Sequence, residues 1–356
     1  MTKLWRPRGI IRAIAVGSFA ALAVGSPALA DPAGPTDYLS EVVSVEPPTA
    51  SIEVTVLGGD SFVQLIAAEG TEVIVIGYRG EDYLRFSPDG TVSENQNSPS
   101  KYTNDDRYGG GEIPPSATPE AEPEWKQIAS NGRWSWHDHR AHWMQQTRPF
   151  GQSAGDQILE AVVPLVVDGA EVDVTVISTW QPEPSTIPMW LGVLLGILLS
   201  VGALIARARL LPAVAFAMPA SAFALLVGVW QYFSLPSETG PRPLWWVLPA
   251  IAMACAMVGV VAGMRRRWFI ADAALLAVGV EHLMWGLFKR SGLNAAIIPT
   301  NAPQWFDRFA TALSLVTGVG FIAVALWWLF GSSTGRVRQR VSGSTEPQGS
   351  LHPAQP

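Results

Sequence analysis

Residues 171–206 read EVDVTVISTW QPEPST IPMWLGVLLGILLSVGALIA, and a change of pattern inside them decides the fold. In the first ten, Val172, Val174 and Val176 alternate with Glu171, Asp173 and Thr175. That period of two is the mark of a half-buried strand. Past Pro182 and Pro184 the alternation stops, and residues 188–206 are almost continuously apolar. At 1.5 Å of rise per residue, ~20 such residues cross a hydrocarbon core of ~30 Å. A β-rich part therefore meets a membrane part at this point.

Upstream, strand patterns recur. Ser51–Leu57 (SIEVTVL), Ser61–Ile66 (SFVQLI), Thr71–Tyr78 (TEVIVIGY) and Gln157–Val167 (QILEAVVPLVV) are short and apolar-rich, with Gly, Asp or Pro between them. Asp168-Gly169 is a hairpin-turn pair. With no long amphipathic helix, residues 31–187 are expected to form a β-sandwich. An insert at 87–124, rich in Ser, Pro, Gly, Asn and acids, is expected as a mobile loop. Downstream, apolar stretches at 188–206, 211–232, 244–264, 268–288 and 308–330 are each long enough to span a bilayer. Trp190, Trp230, Trp245, Trp246, Trp268, Trp305, Trp327 and Trp328 fall near their ends, where an interfacial belt belongs. The fold class expected is an all-β, sandwich-like extracytoplasmic domain followed by an all-α bundle of five transmembrane helices in 188–331. A disordered cytoplasmic tail is expected at 332–356.

Charge supports that division. The chain has 356 residues, 48% hydrophobic and 15% charged, with a net charge of −6. Residues 31–187 hold 25 acids against 8 Lys and Arg, whereas the remainder is basic. Lys3, Arg6, Arg8 and Arg12 precede the short apolar run 13–25 and Pro27-Ala28-Leu29-Ala30. This order predicts a signal peptide over 1–30, cleaved after Ala30. Arg207, Arg209, Arg265–Arg267, Arg336, Arg338 and Arg340 all fall on one side if the acidic domain lies outside. That is the positive-inside pattern. A lone Cys255 excludes a disulfide framework within the chain and any CxxC site. The acidic balance argues against nucleic-acid binding. No P-loop and no H-E-x-x-H occurs, so a non-catalytic protein is expected.

The one dense chemical signal is Trp134-Ser135-Trp136-His137-Asp138-His139-Arg140-Ala141-His142-Trp143-Met144, which holds three of the five histidines. If 133–140 is a strand, His137 and His139 share one face, while Trp134, Trp136, Asp138 and Arg140 share the other. A turn near Ala141 would bring His142 back toward His139. Three imidazoles suit Zn(II) or Cu(II), and the Met144 thioether suits Cu(I). Equally, Asp138 and Arg140 could form a local ion pair among tryptophans that seats the domain on the bilayer. Within the spans, Asp272 is expected as a paired interfacial acid near the arginine cluster. Glu281 and His282 lie deeper, and intramembrane ionisable residues are functional candidates. A single histidine excludes a bis-histidine haem.

The run Gly77-Tyr78-Arg79-Gly80-Glu81-Asp82-Tyr83-Leu84-Arg85-Phe86, the histidine motif, the Val167-Asp168-Gly169 turn and Trp180-Gln181-Pro182 together resemble a family of bacterial secreted-plus-membrane proteins with no assigned function. The resemblance covers roughly 31–330 and implies the layout without an activity. The layout is also loosely similar to that of copper-resistance proteins, which join a periplasmic β-sandwich to a membrane bundle. This chain departs from them at Asp31-Pro32-Ala33, which offers no histidine ligand, and in having one histidine in its membrane half. Two readings follow. In one, a membrane-anchored envelope protein handles copper through His137, His139, His142 and Met144. In the other, a non-catalytic structural or interaction protein meets an envelope protein partner, and the motif docks the β-domain on the lipid bilayer.

Overall fold

The computed structural model describes residues 32–145, 147–208 and 211–331, with no account of side chains at 207–208. The expected signal peptide with its cleavage site, Arg209, the tail with its arginines, and His352 lie outside the described residues. An antiparallel β-domain of ten strands is followed by five helices long and apolar enough to cross a membrane.

The β-domain is a two-sheet sandwich. Seven strands run in the order β1 (Tyr38–Glu46), β10 (Ala170–Trp180), β9 (Gln157–Val167), β4 (Val73–Ile76), β5 (Asp82–Phe86), β6 (Val92–Asn95) and β7 (Trp125–Ala129). Three more form the sheet β2 (Ile52–Leu57), β3 (Phe62–Ala67) and β8 (Arg133–Trp136). Inward residues at alternate positions, among them Val63, Leu65, Val75, Leu84, Val163, Leu165, Val174 and Val176, make one core between the sheets. The long β9–β10 ladder is set by its turn: Asp168 (φ 49°) and Gly169 (φ 83°) both take left-handed backbone. That is what a two-residue hairpin matching the strand twist requires.

The insert at 87–124 carries β6 and a helical turn, α1 (Pro99–Asn104), and runs without regular structure from 105 to 124. Polar residues hold its regular part. Asn95, Ser98, Ser100 and Asn104 are buried and bonded inward, so side-chain hydrogen bonds replace the apolar periodicity that marks order in a sequence.

The bundle comprises α2 (Ile187–Ala208), α3 (Ala217–Phe233), α4 (Leu244–Met264), α5 (Trp268–Lys289) and α6 (Gln304–Leu326). Helices α5 and α6 approach closely because glycines meet there. A Cβ on Gly318 would lie 2.6 Å from the Leu283 nitrogen, and one on Gly279 would lie 2.8 Å from the Ile322 nitrogen. Without a hydrophobic force between helices in lipid, such close backbone packing is what binds them. Trp190, Trp305 and Trp327 are well exposed, as belt residues should be, but Trp245 is buried at the β-domain contact.

The two parts are stitched together. Thr36 and Ile297 exchange backbone hydrogen bonds of 3.0 and 2.8 Å as an antiparallel bridge. The Ala296 amide donates to the Asp37 carboxylate at 3.0 Å. Glu238, in the 3-10 turn Ser237–Thr239, accepts from Ser135 at 3.3 Å and lies 3.6 Å from Arg133.

Candidate functional site

Strand β8 ends at Trp136, four residues sooner than expected, because Asp138 to Ala141 close a turn through the Ala141 amide and the Asp138 carbonyl at 2.9 Å. The face-by-face assignment of the motif therefore applies only to Trp134 and Trp136, and the histidines are distributed by the turn. Asp138 is the hub. Its carboxylate, 1% exposed, accepts from Arg140 Nε and Nη2 at 2.8 Å each, and from the Trp136 indole at 3.0 Å. This forked geometry is the strong form of the Arg–carboxylate bond. Burial raises the carboxyl's pKa, but the guanidinium outweighs it and holds Asp138 below the usual carboxylate range. Arg140 also donates to the Ile76 carbonyl at 3.1 Å and lies over the Tyr78 ring. Tyr78 donates its hydroxyl proton to Asn104 and accepts from the His139 amide at 2.8 Å. Burial, reinforced by Asp138, pushes the Tyr78 phenol up. The local ion pair considered for Asp138 and Arg140 is present as the centre of a buried network.

Each motif histidine meets a backbone carbonyl. His137 Nδ1 lies 2.6 Å from the Ser61 carbonyl, and its ring stacks on Phe62 at 4.2 Å between centroids. His139 Nε2 lies 3.0 Å from the Asp106 carbonyl, and His142 Nε2 lies 2.6 Å from the next one, Arg107. These contacts assign the proton to His137 Nδ1, to His139 Nε2 and, at the shorter of its two carbonyl contacts, to His142 Nε2. His142 Nδ1 faces a second carbonyl, Asp138, at 3.2 Å. Burial first, then the Arg107 charge, depress His142 to about 4, so its imidazole is neutral at pH 7.

The motif's histidines are thus brought together only in part. His139 and His142 meet edge to face at 5.4 Å, while His137 is turned to Phe62. Met144 lies half-buried in the loop beyond. Among the described residues, no three of His, Cys, Asp or Glu are grouped to hold a metal ion. A three-nitrogen centre needs three lone pairs on one point at ~2.0–2.1 Å.

The turn's apolar neighbour reaches the membrane half. Phe62, 1% exposed, is packed with Ala33, Leu235 and Trp245, with Leu57, Tyr232 and Phe288 around them. Beside it, Arg107 donates to Asp60 at 2.5 Å and to Ser61 at 2.8 Å. Burial pushes the Asp60 carboxyl up against the pull of Arg107. Neither Phe62 nor the Asp60–Arg107 pair was foreshadowed in the sequence: a phenylalanine at a strand start and charges in turns carry no periodic signal.

In the bundle, Asp272, Glu281 and His282 are all buried. Thr317 donates its hydroxyl to the Leu313 carbonyl at 2.8 Å, so it accepts from His282 Nδ1 at 2.9 Å. His282 Nε2 is then left to accept from Ser221 at 2.9 Å. This relay ties α3, α5 and α6. Lys289 and Asp307 form a buried ion pair at the β-domain end of α5 and α6, although both were expected in a connecting loop. Opposite charges at facing ends of two consecutive spans were the overlooked signal. Comparison with protein-family models, with curated proteins and with solved structures finds no match to this chain.

Proposed function

We propose that this chain is a multi-pass envelope protein whose extracytoplasmic β-domain is held at fixed height and orientation on the membrane bundle. It does no chemistry of its own, and it presents the domain's surface to an envelope protein partner. The expected signal peptide and the positive-inside pattern support the orientation. Arg265–Arg267 follow α4, whose opposite end carries Trp245 at the β-domain contact.

The observation that carries the reading is the His137–Phe62 stack. The histidine motif holds, through the Ser61 carbonyl and the Phe62 ring, an aromatic side chain that packs in the seam with Ala33, Leu57, Leu235, Trp245 and Phe288. The motif is thereby a seating device. Copper handling, the alternative, would require three imidazoles to converge on one ion, whereas His137 is turned to Phe62 and, among the described residues, no three of His, Cys, Asp or Glu are grouped to hold one.

Hydrogen–deuterium exchange and copper titration on the full chain in lipid nanodiscs separate the two. With seating, His137→Ala speeds exchange at 57–62, 33–36 and 294–298, and no tight Cu(II) or Cu(I) site depends on His137, His139 or His142. A tight site lost in the His137→Ala/His139→Ala variant, with unchanged exchange at the seam, would overturn the proposal and establish metal handling.

A further inference from the structure

Beyond the seating role, the seam leaves a cavity of about 430 Å³ beside the Thr36–Ile297 bridge. That volume is within the ~300–1,000 Å³ of small-molecule sites. Its position relative to the bilayer follows from where its lining residues fall in the chain. Ser234 directly follows α3, Gln304 opens α6, and Pro182 lies just before α2. All three are span ends on the β-domain side. Phe233 and Trp305, next in sequence to Ser234 and Gln304, are 77% and 57% exposed. Exposed aromatics at span ends mark the headgroup level. The cavity therefore lies at the headgroup depth of the leaflet facing the β-domain.

Its lining has two chemistries. Leu39, Val56, Leu57, Leu235, Ile298 and Pro299 give apolar wall. Gln181, Ser234, Thr300, Asn301 and Gln304 give amides and hydroxyls, and no lining residue is ionisable. Gln304 Oε1 accepts from Arg308 and the Ile298 amide, so its NH2 group remains a donor. Thr300 Oγ1 accepts from the Ala302 amide, so its hydroxyl proton is likewise left to give. A phosphate placed here would meet no cation in the lining, because Arg308, behind Gln304, gives its Nη2 to the Ala295 and Ala296 carbonyls and to Gln304, and charge withdrawn from water without a partner is costly. Neutral hydroxyls, which both donate and accept, match amides and hydroxyls.

We infer that this cavity binds a lipid with an uncharged, polyhydroxylated headgroup, of the glycosyl diacylglycerol class, drawn from the leaflet facing the β-domain. The headgroup takes the amide side and the upper acyl chain takes the apolar wall.

The test is native mass spectrometry of the full chain, equilibrated in detergent with monogalactosyldiacylglycerol, phosphatidylglycerol and phosphatidylethanolamine of matched acyl chains in equal amounts. One galactolipid per chain should be retained, at least about tenfold over either phospholipid. Asn301 is exposed, so Asn301→Trp can fill the mouth without disturbing a core, and a thermal unfolding scan checks that it folds as the parent does. In this variant, and in Gln181→Ala/Asn301→Ala, retention should fall to the phospholipid level. Equal retention of all three lipids, preference for a phospholipid, or undiminished retention in a normally folded Asn301→Trp protein would overturn the proposal. So would methyl galactoside binding as tightly as the lipid, because the apolar wall would then contribute nothing.

Discussion

His137 and His142 of the turn and His282 of the bundle are all buried, yet the turn and the bundle bond their histidines to different things. His137, His139 and His142 face the backbone carbonyls of Ser61, Asp106 and Arg107. His282 faces two hydroxyls, Ser221 and Thr317. The backbone explains the contrast. Irregular chain at 58–61 and 105–109 leaves carbonyls that no ladder pairs, and a buried carbonyl needs a donor. Inside a transmembrane helix the backbone satisfies itself, so a polar side chain must find partners on neighbouring helices. An imidazole's role here is decided by what the surrounding backbone leaves unsatisfied, and a histidine-dense segment can be a set of backbone donors without being a ligand set.

The sharpest way to break this comparison is to strand the charge at the centre of the turn. Arg140→Met leaves the Asp138 carboxylate buried, with the Trp136 indole, the Tyr78 hydroxyl at 3.4 Å and the residue 140 amide for company. Removing one partner of a buried pair costs about 3–5 kcal/mol. Thermal unfolding of the full chain, followed by tryptophan emission, should show the β-domain transition fall accordingly. Asp138→Asn added to Arg140→Met should recover part of the loss, since the uncompensated charge is gone. A loss under about 1 kcal/mol in the single variant would mean that the turn is held by its histidines and not by its ion pair.

Acid acting at His142 provides the next largest effect. His142 is depressed from 6.5 to about 4, chiefly by burial. Above pH 6.5 the folded and unfolded chains are both neutral at this ring, and it contributes no pH dependence. As pH falls below 6.5 the unfolded chain takes the proton first. Stability then declines by about 1.4 kcal/mol per pH unit, up to about 3 kcal/mol near pH 4. In His142→Gln, whose amide can still donate to the Arg107 carbonyl, this part of the slope should vanish. The check is the difference in unfolding free energy between parent and variant from pH 7 to 5, a window above most carboxylate titration. Parallel curves would show that the ring is not buried neutral.

How legible each region was depends on what orders it. The spans and the β9–β10 hairpin are ordered by apolar runs, alternation and an Asp-Gly turn, all of which survive in the sequence as local patterns. The histidine motif was visible as composition, its Asp138–Arg140 pairing as a neighbourhood and the return of His142 toward His139 as a turn near Ala141, but not the strand's early end at Trp136. Nothing local says that Trp136 ends a strand when Asp138 can gather Trp136 and Arg140. The contacts that seat the domain join residues far apart in the chain: Phe62 with Trp245, Thr36 with Ile297, Ser135 with Glu238. Within the insert at 87–124 the packing of α1 was hidden for a related reason, because Ser98 and Ser100 bond inward to Glu81. Polar residues that fold inward look, in sequence, like polar residues that face water.

The smallest expected effect lies in the bundle, and it tests the other half of the comparison. Ser221→Ala removes the donor to His282 Nε2 and leaves the bond to Thr317. Interhelical side-chain hydrogen bonds in membranes are worth about 0.6 kcal/mol on average and about 1.7 at most, because the unfolded helices find other partners in the bilayer. Unfolding of the full chain in mixed micelles with a rising fraction of dodecyl sulfate should therefore place Ser221→Ala within about 1 kcal/mol of the parent, and Thr317→Val close to it. The turn histidines have no such refuge, since a buried carbonyl deprived of its donor pays its full desolvation. If Ser221→Ala proved as damaging as Arg140→Met, the relay through Ser221, His282 and Thr317 could not be ordinary helix glue. The distinction between backbone-serving and helix-joining histidines would then give way to one between two keystones, with His282 holding α3, α5 and α6 together as Asp138 holds the turn.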